Sequence, residues 1–290
     1  MPIEDQNDAD LAPEDVLSSS LESLYQYQPI TYASAGSLLT YVTKSKHLNT
    51  QPVQITVRTP DTQAANWDLH ASSIWVSAHY LADHIHELHL EEVLAESERS
   101  GSCTTVLELG AGAGLPGVLI AKLYGAHGAM VTLSDYPDEY ITRTLIENVA
   151  DNGVSSFCRV APYAWGADIT PLLPSPQDGF DIIIAADTLW NRASHEILIQ
   201  TLCAGLKRTR HARIHLVAGL HTGRYTLQSF MNAISSSGFE IARAEEREVQ
   251  GLQRRDWDIS RSEGEDEAER RRWVVWMILK WASTTLGQTE

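Results

Sequence analysis

Val53, Ile55 and Val57 alternate with polar neighbours, a period of two that predicts a short strand. Further on the period changes. Trp75, Ala78, Leu81, Ala82 and Ile85 recur at three and four residues and predict a helix. From Thr105 the pattern becomes a regular alternation. Apolar runs predict strands at 105–109, 129–134, 157–161, 180–186, 212–219, 239–243 and 272–281, with helices expected at 115–124, 139–151, 194–207 and 226–237. Strands separated by single helices predict an α/β fold: a mostly parallel sheet of seven strands with helices on both faces. Between the last two strands no crossover helix is evident, so the final strand is expected to run antiparallel. Their link, 251–271 (GLQRRDWDISRSEGEDEAERR), is dense in charges of both signs and holds little to bury. It reads as a solvated, mobile loop or, alternatively, as a flap that contacts substrate.

Residues 1–24 carry seven acidic side chains and no Lys or Arg, without hydrophobic periodicity, and read as an acidic flexible tail. A small extension with short strands is expected over 25–65, and the main domain over 66–290. The whole chain has 22 Lys+Arg against 38 Asp+Glu, a net charge of −16, and without the tail the balance is still 22 − 31, or −9. That argues against a nucleic-acid groove, which relies on clustered cations. No apolar run approaches the roughly 18 residues of a membrane span, and the polar, acidic start is unlike a secretory leader. Cys103, Cys158 and Cys203 are too few and too scattered for a disulfide framework or a zinc site, so no metal is expected. A cytoplasmic protein, monomeric and free of membrane or nucleic acid, is the expectation.

The sharpest chemistry lies in TVLELGAGAGLPG, where a buried strand runs into Gly110, Gly112 and Gly114 and a helix then opens. Glycines at such a turn let a ligand approach the backbone without a Cβ in the way. The helix N-terminus beyond them offers free N–H groups. GAGLPG also satisfies the dinucleotide fingerprint, and Asp135 ends the following strand where an acid accepts from ribose hydroxyls. NAD and S-adenosylmethionine (SAM) both carry a ribose, so Asp135 does not separate them. Glu108, two residues before the first glycine, gives an E-x-G-x-G-x-G pattern that favours SAM.

VLELGAGAGLPG, SDYPD, AADTLWN, the upstream SSIWVSAHYLADHI and the AWG tripeptide together resemble the family-16 group of class I seven-strand methyltransferases. Within it the chain is most similar to a fungal branch, formerly described as nicotinamide N-methyltransferase-like, of elongation factor 1-alpha N-terminal and lysine methyltransferases. The resemblance covers roughly 65–285. It implies a Rossmann-like fold, SAM as cofactor with S-adenosylhomocysteine as product, and a protein substrate, elongation factor 1-alpha, methylated at its N-terminal glycine or adjacent lysine. Position by position it implies that Trp75 closes over the cofactor and that Glu108, Gly110, Ala111 and Gly112 surround its methionine part. Asp135 would hold the ribose, Trp165 the adenine side, and Ala186 the pocket floor. Asp187 and Trp190 fall where many relatives have Asp-x-x-Tyr; the tryptophan keeps an aromatic face and removes a hydroxyl.

On the residues alone, Trp75 and Trp165 read as packing groups and His195, in a first helical turn, as a surface or packing residue. Asp187, at the end of an apolar strand, reads as functional. Methyl transfer to an amine needs a neutral nitrogen held in line with the methyl group. Asp187 is expected to orient that amine and Trp190 to offer its ring face to the cation. The competing readings are a small-molecule amine methyltransferase, a SAM-binding partner without turnover, and an NAD-dependent oxidoreductase.

Overall fold

In the computed structural model, residues 28–44, 51–62, 69–175 and 178–286 are described. The acidic segment 1–24 lies outside them.

β3 (Thr104–Leu109) is buried along its whole length, as a parallel strand covered on both faces must be. It pairs in parallel with β4 (Ala129–Ser134) on one side and β6 (Ile182–Ala186) on the other. β5 (Cys158–Val160) extends the sheet beyond β4, and β7 (Arg213–Gly219) beyond β6, again in parallel. β10 (Trp273–Trp281) inserts antiparallel between β7 and β8 (Phe239–Glu248). With β9 (Arg254–Asp256) at the edge, the order is β5-β4-β3-β6-β7-β10-β8-β9.

Side chains alternate between two cores, as the pleat requires. Val106, Ile182, Ile184 and Trp276 face one core, shared with α1 (Val76–Asp83), α3 (Leu115–Tyr124) and α4 (Glu139–Asp151). Leu107, Ile183, Val275 and Met277 face the other, filled by α5 (His195–Gly205) and α6 (Arg224–Ile234). The expected α/β architecture, with helices on both faces and an antiparallel last strand, is therefore present. An additional helix, α2 (Leu90–Ser100), was not foreseen, because only Leu90 and Ser97 of it are buried and its apolar stripe is short.

A hairpin of β1 (Leu38–Val42) and β2 (Gln54–Arg58) lies outside the main sheet. Two asparagines, one in α4 and one at its C-cap, hold it. Asn148 Oδ1 accepts from Arg58 N (2.8 Å) and its Nδ2 donates to Arg58 O (2.8 Å). One turn on, Asn152 makes the same pair with Thr56, at 3.0 and 2.7 Å. Four helical residues rise about 6 Å and two strand residues about 6.6 Å, so a helix can serve the edge of a strand in this way.

The seventh-strand count and the solvated reading of 251–271 both need correction. That link supplies an eighth strand, β9, and a short helix α7 (Glu267–Arg271) capped by Asp266. Several of its charges are held in ion pairs, and Glu265 is buried in one. Arg224, with a side chain 1% exposed, donates to both oxygens of Glu246 (2.5 and 2.9 Å) and to both of Glu265 (2.9 and 2.8 Å). Arg255 and Arg261 complete the shell of Glu246 at 2.7 and 2.8 Å. β8 accordingly runs past the expected 239–243 to Glu248, because Glu246 and Arg247 are buried within it. Burial alone would raise the Glu246 carboxyl, but Arg224 and Arg255 outweigh it and hold it below its ordinary value.

Removing one member of a buried ionic cluster leaves its partners uncompensated, at a cost of about 3–5 kcal/mol. Arg224→Met should lower unfolding stability by that order and expose 251–271 to proteolysis, read by urea denaturation and limited trypsin digestion. Because Glu246 is depressed, its stabilisation is present above the ordinary carboxyl value of 4.5 and fades as pH falls below it. Acid should therefore loosen the same segment in the wild type.

Candidate active site

β3, β4 and β6 end at one edge of the sheet, where open α/β folds place their ligands. The chain leaving β3 turns on Gly110 at φ +65°. A Cβ there would also lie 2.8 Å from Thr188 Cγ2, so both conformation and space require glycine. The next two amides pin the loop to β4: Ala111 N donates to Ser134 O (3.0 Å) and Gly112 N to Asp135 Oδ2 (2.7 Å). Above the loop opens a cavity of about 390 Å³, within the range of small-molecule sites.

Trp75, Glu108, Gly110, Ala111, Gly112, Asp135, Trp165, Ala186 and Trp190 all line this cavity. Asp187 is the exception. It occupies a left-handed turn at φ +54° directly after β6. Its Oδ1 accepts from Gly219 N (2.7 Å) and its Oδ2 from Ser77 N (3.3 Å). The carboxylate thus joins the ends of β6 and β7 to α1 and turns its chain neighbours Ala186 and Thr188 to the cavity. His195 is buried, with Nε2 at 2.9 Å from Leu189 O and its ring edge-on to Phe230, a packing role.

The mouth is aromatic. Trp75 is held by a backbone bridge to Thr31 and by its own Nε1, which donates to His70 O at 2.8 Å. Its ring stacks on His221 (centroids 5.5 Å, planes 12° apart), and the His70 ring stands edge-on to both Trp75 and Trp190. Trp190 remains 40% exposed.

Four further lining residues, His70, Tyr136, Tyr163 and Thr188, escaped the sequence reading. Adjacency to Asp135 and Asp187 was a usable signal for Tyr136 and Thr188. Nothing in the local pattern marks His70, whose backbone is left-handed at φ +53° without being glycine.

Two carboxyl groups give the interior its electrostatic character. Burial pushes Glu108 up to about 8, even though its Oε2 accepts from Gly117 N at 2.9 Å; nearby Asp135 adds to the rise. Burial also raises Asp135 to about 6 against the two amides, Gly112 and Tyr136, that favour its ionised form. Both shifts run in the direction that a positive charge placed nearby would reverse. Among the described residues no cluster of His, Cys, Asp and Glu is arranged to hold a metal ion.

A glycine loop pinned to an acid at the end of the second strand, beneath an aromatic mouth, is an arrangement that can take a ribose-bearing ligand. The lysine methyltransferase family model matches residues 62–237, and the chain belongs to that family. It is an enzyme, a methyltransferase. It is 33% identical over 196 residues to the protein N-terminal and lysine N-methyltransferase EFM7 of Gibberella zeae, covering 62% of this chain and 69% of that one. The namesake of Emericella nidulans is 33% identical over 156 residues, 50% of this chain and 56% of its own. That of Eremothecium gossypii is 36% identical over 138 residues, 44% and 48%. The match thus spans about half the length of these last two. Among solved structures, the N,N-8-amino-8-demethyl-D-riboflavin dimethyltransferase RosA of Streptomyces davawensis aligns at a TM-score of 0.42 and 13% identity, over 69% of this chain and 57% of that chain.

Because Glu108 is raised, the folded ligand-free protein binds a proton that the unfolded chain releases between its ordinary value of 4.5 and about 8. Stability must fall as pH rises through that window. Glu108→Gln keeps an acceptor for Gly117 N and abolishes the charge. Its melting temperature should exceed the wild type's at pH 8, with the gap closing towards pH 5.

Proposed function

We propose that this enzyme transfers the methyl group of SAM to an amino nitrogen of a protein substrate, namely the N-terminal glycine or adjacent lysine of elongation factor 1-alpha. The residues fit the cofactor. The Asp135 carboxyl faces the cavity as a ribose acceptor, Trp165 offers an aromatic wall, and Glu108 sets a polar carboxyl beside the glycine loop. Thr188 Oγ1, buried without a partner among the described residues, adds an unspent polar group. When bound, SAM supplies an electrophilic methyl group whose bond electrons stay on sulfur as the carbon passes to nitrogen.

The chain's own residues do the rest. Asp187 fixes the turn that sets Thr188 and Trp190, and so acts as a positioning residue. Trp75 and Trp190 wall the approach with aromatic faces that favour a cationic or partly charged amine. The observation that carries the protein-substrate reading is the mouth itself: Trp190 and His70 are exposed there, and among the described residues none covers them. The relatives' names, which specify N-terminal and lysine methylation of proteins, support the same reading. An α-amine, with an ordinary pKa of about 7.7–8.0, is also far easier to use neutral than lysine at about 10.4. We place the activity in the cytoplasm, on a monomer.

Purified protein, radiolabelled SAM and a fungal cytosolic extract test this directly. Label in the N-terminal peptide of elongation factor 1-alpha is expected; label confined to small molecules would replace the acceptor with a metabolite amine. Trp190→Ala should lower turnover roughly two- to thirtyfold, the worth of a cation–π contact of about 0.5–2 kcal/mol. SAM affinity, measured separately by calorimetry, should barely change.

A further inference from the structure

Transfer to an amine requires that an ammonium first lose a proton, and the lining groups divide sharply in their capacity to take it. Glu108 is engaged by Gly117 N, and Asp135 by the amides of Gly112 and Tyr136, beneath and beside the glycine loop. The Tyr163 hydroxyl donates to Ala167 O at 2.8 Å. Asp187 spends both oxygens on Gly219 and Ser77, and His221 lies behind Trp75, stacked on the indole and off the cavity wall. Tyr136 is exposed at the second-strand edge, next to Asp135.

Among the described lining residues His70 carries the one imidazole. It is exposed at the mouth and neither ring nitrogen is hydrogen-bonded among the described residues, a freedom that His221 shares only away from the cavity wall. Its placement is over-determined. A non-glycine residue at φ +53° costs about 1–3 kcal/mol unless its surroundings enforce it. Here the His70 carbonyl accepts from Trp75 Nε1 at 2.8 Å, and the ring meets Trp75 and Trp190 edge-on at centroid distances of 5.8 and 4.7 Å. The two indoles that wall the amine's path therefore also aim the imidazole.

We propose that His70 is the general base that deprotonates the acceptor ammonium at the cavity mouth, an inference that rests on the amine-acceptor reading above. One N–H bond of the ammonium breaks and one imidazole N–H bond forms, leaving the amine nitrogen with its lone pair. The imidazolium then returns its proton to solvent, which reaches it at the mouth. No oxidant or second reactant is needed.

Asparagine tolerates left-handed backbone and cannot act as the base, so His70→Asn removes the base while keeping the fold. With recombinant elongation factor 1-alpha bearing a free N-terminal glycine, kcat at pH 7 should fall about a hundredfold, the lower end of general-base effects. SAM affinity by calorimetry should stay within twofold. The acid limb of kcat/KM should move up to that of the free α-amine, about 7.7–8.0, and added imidazole should restore part of the rate to His70→Gly. A merely structural role would lower the rate without moving that limb. Turnover within threefold of wild type across pH 6–9, or an unmoved limb, overturns the proposal. If the wild type labels a different amine from the extract, the acceptor assignment fails and the same variants are scored on that amine. If SAM binds and the wild type labels no amine at all, both readings fall.

Discussion

The bond from Gly112 N to Asp135 Oδ2 is the constraint on which the site turns. Together with Ala111 N to Ser134 O, it draws the chain leaving β3 across the end of β4. That forces the turn at Gly110, and Gly110 in turn leaves room for Thr188 from β6. Three strands are thereby brought to one ligand surface. The acid that does this also faces the cavity, so the group that shapes the loop is also part of the cavity wall. Asn148 extends the arrangement outward: its Nδ2 donates to Ala113 O as well as to Arg58 O, linking loop, α4 and the N-terminal hairpin through one buried amide.

Charge is handled differently in the two halves of the molecule. Around Arg224, carboxylates and guanidiniums are buried in mutual contact, so Glu246 stays ionised. Around the cavity, Glu108 and Asp135 are desolvated with only backbone amides to compensate, and both are raised. The first arrangement is complete in itself and orders a segment. The second leaves carboxyls that a proton or a cation from outside can neutralise.

Asp187 shapes the site through backbone geometry. Its left-handed backbone and its two accepted amides lock the junction of β6, β7 and α1. The residues on either side of it, with Trp190 just beyond, are delivered to the cavity while its own carboxylate is kept in the frame. The aromatic mouth rests on this junction, since Trp75 caps the helix whose Ser77 amide Asp187 receives.

Hydrophobic periodicity and the order of motifs determined the alternating strands and helices, the two-faced sheet and the glycine loop, because each depends on local spacing that survives in one dimension. The same holds for Trp75, Glu108, Asp135, Trp165 and Trp190, whose resemblance to a motif set marks positions along a chain. Partners distant in sequence were decided only by the tertiary structure. The charges of 251–271 read as hydrated until Arg255, Arg261 and Glu265 are seen to pair with Glu246 and Arg224, and β9 exists only because β8 offers it an edge. Asp187 looks catalytic in sequence, and only the approach of Gly219 and Ser77 shows where its oxygens go. His70 carries no local signal at all: its part in the mouth arises from where Trp75 and Trp190 meet in space.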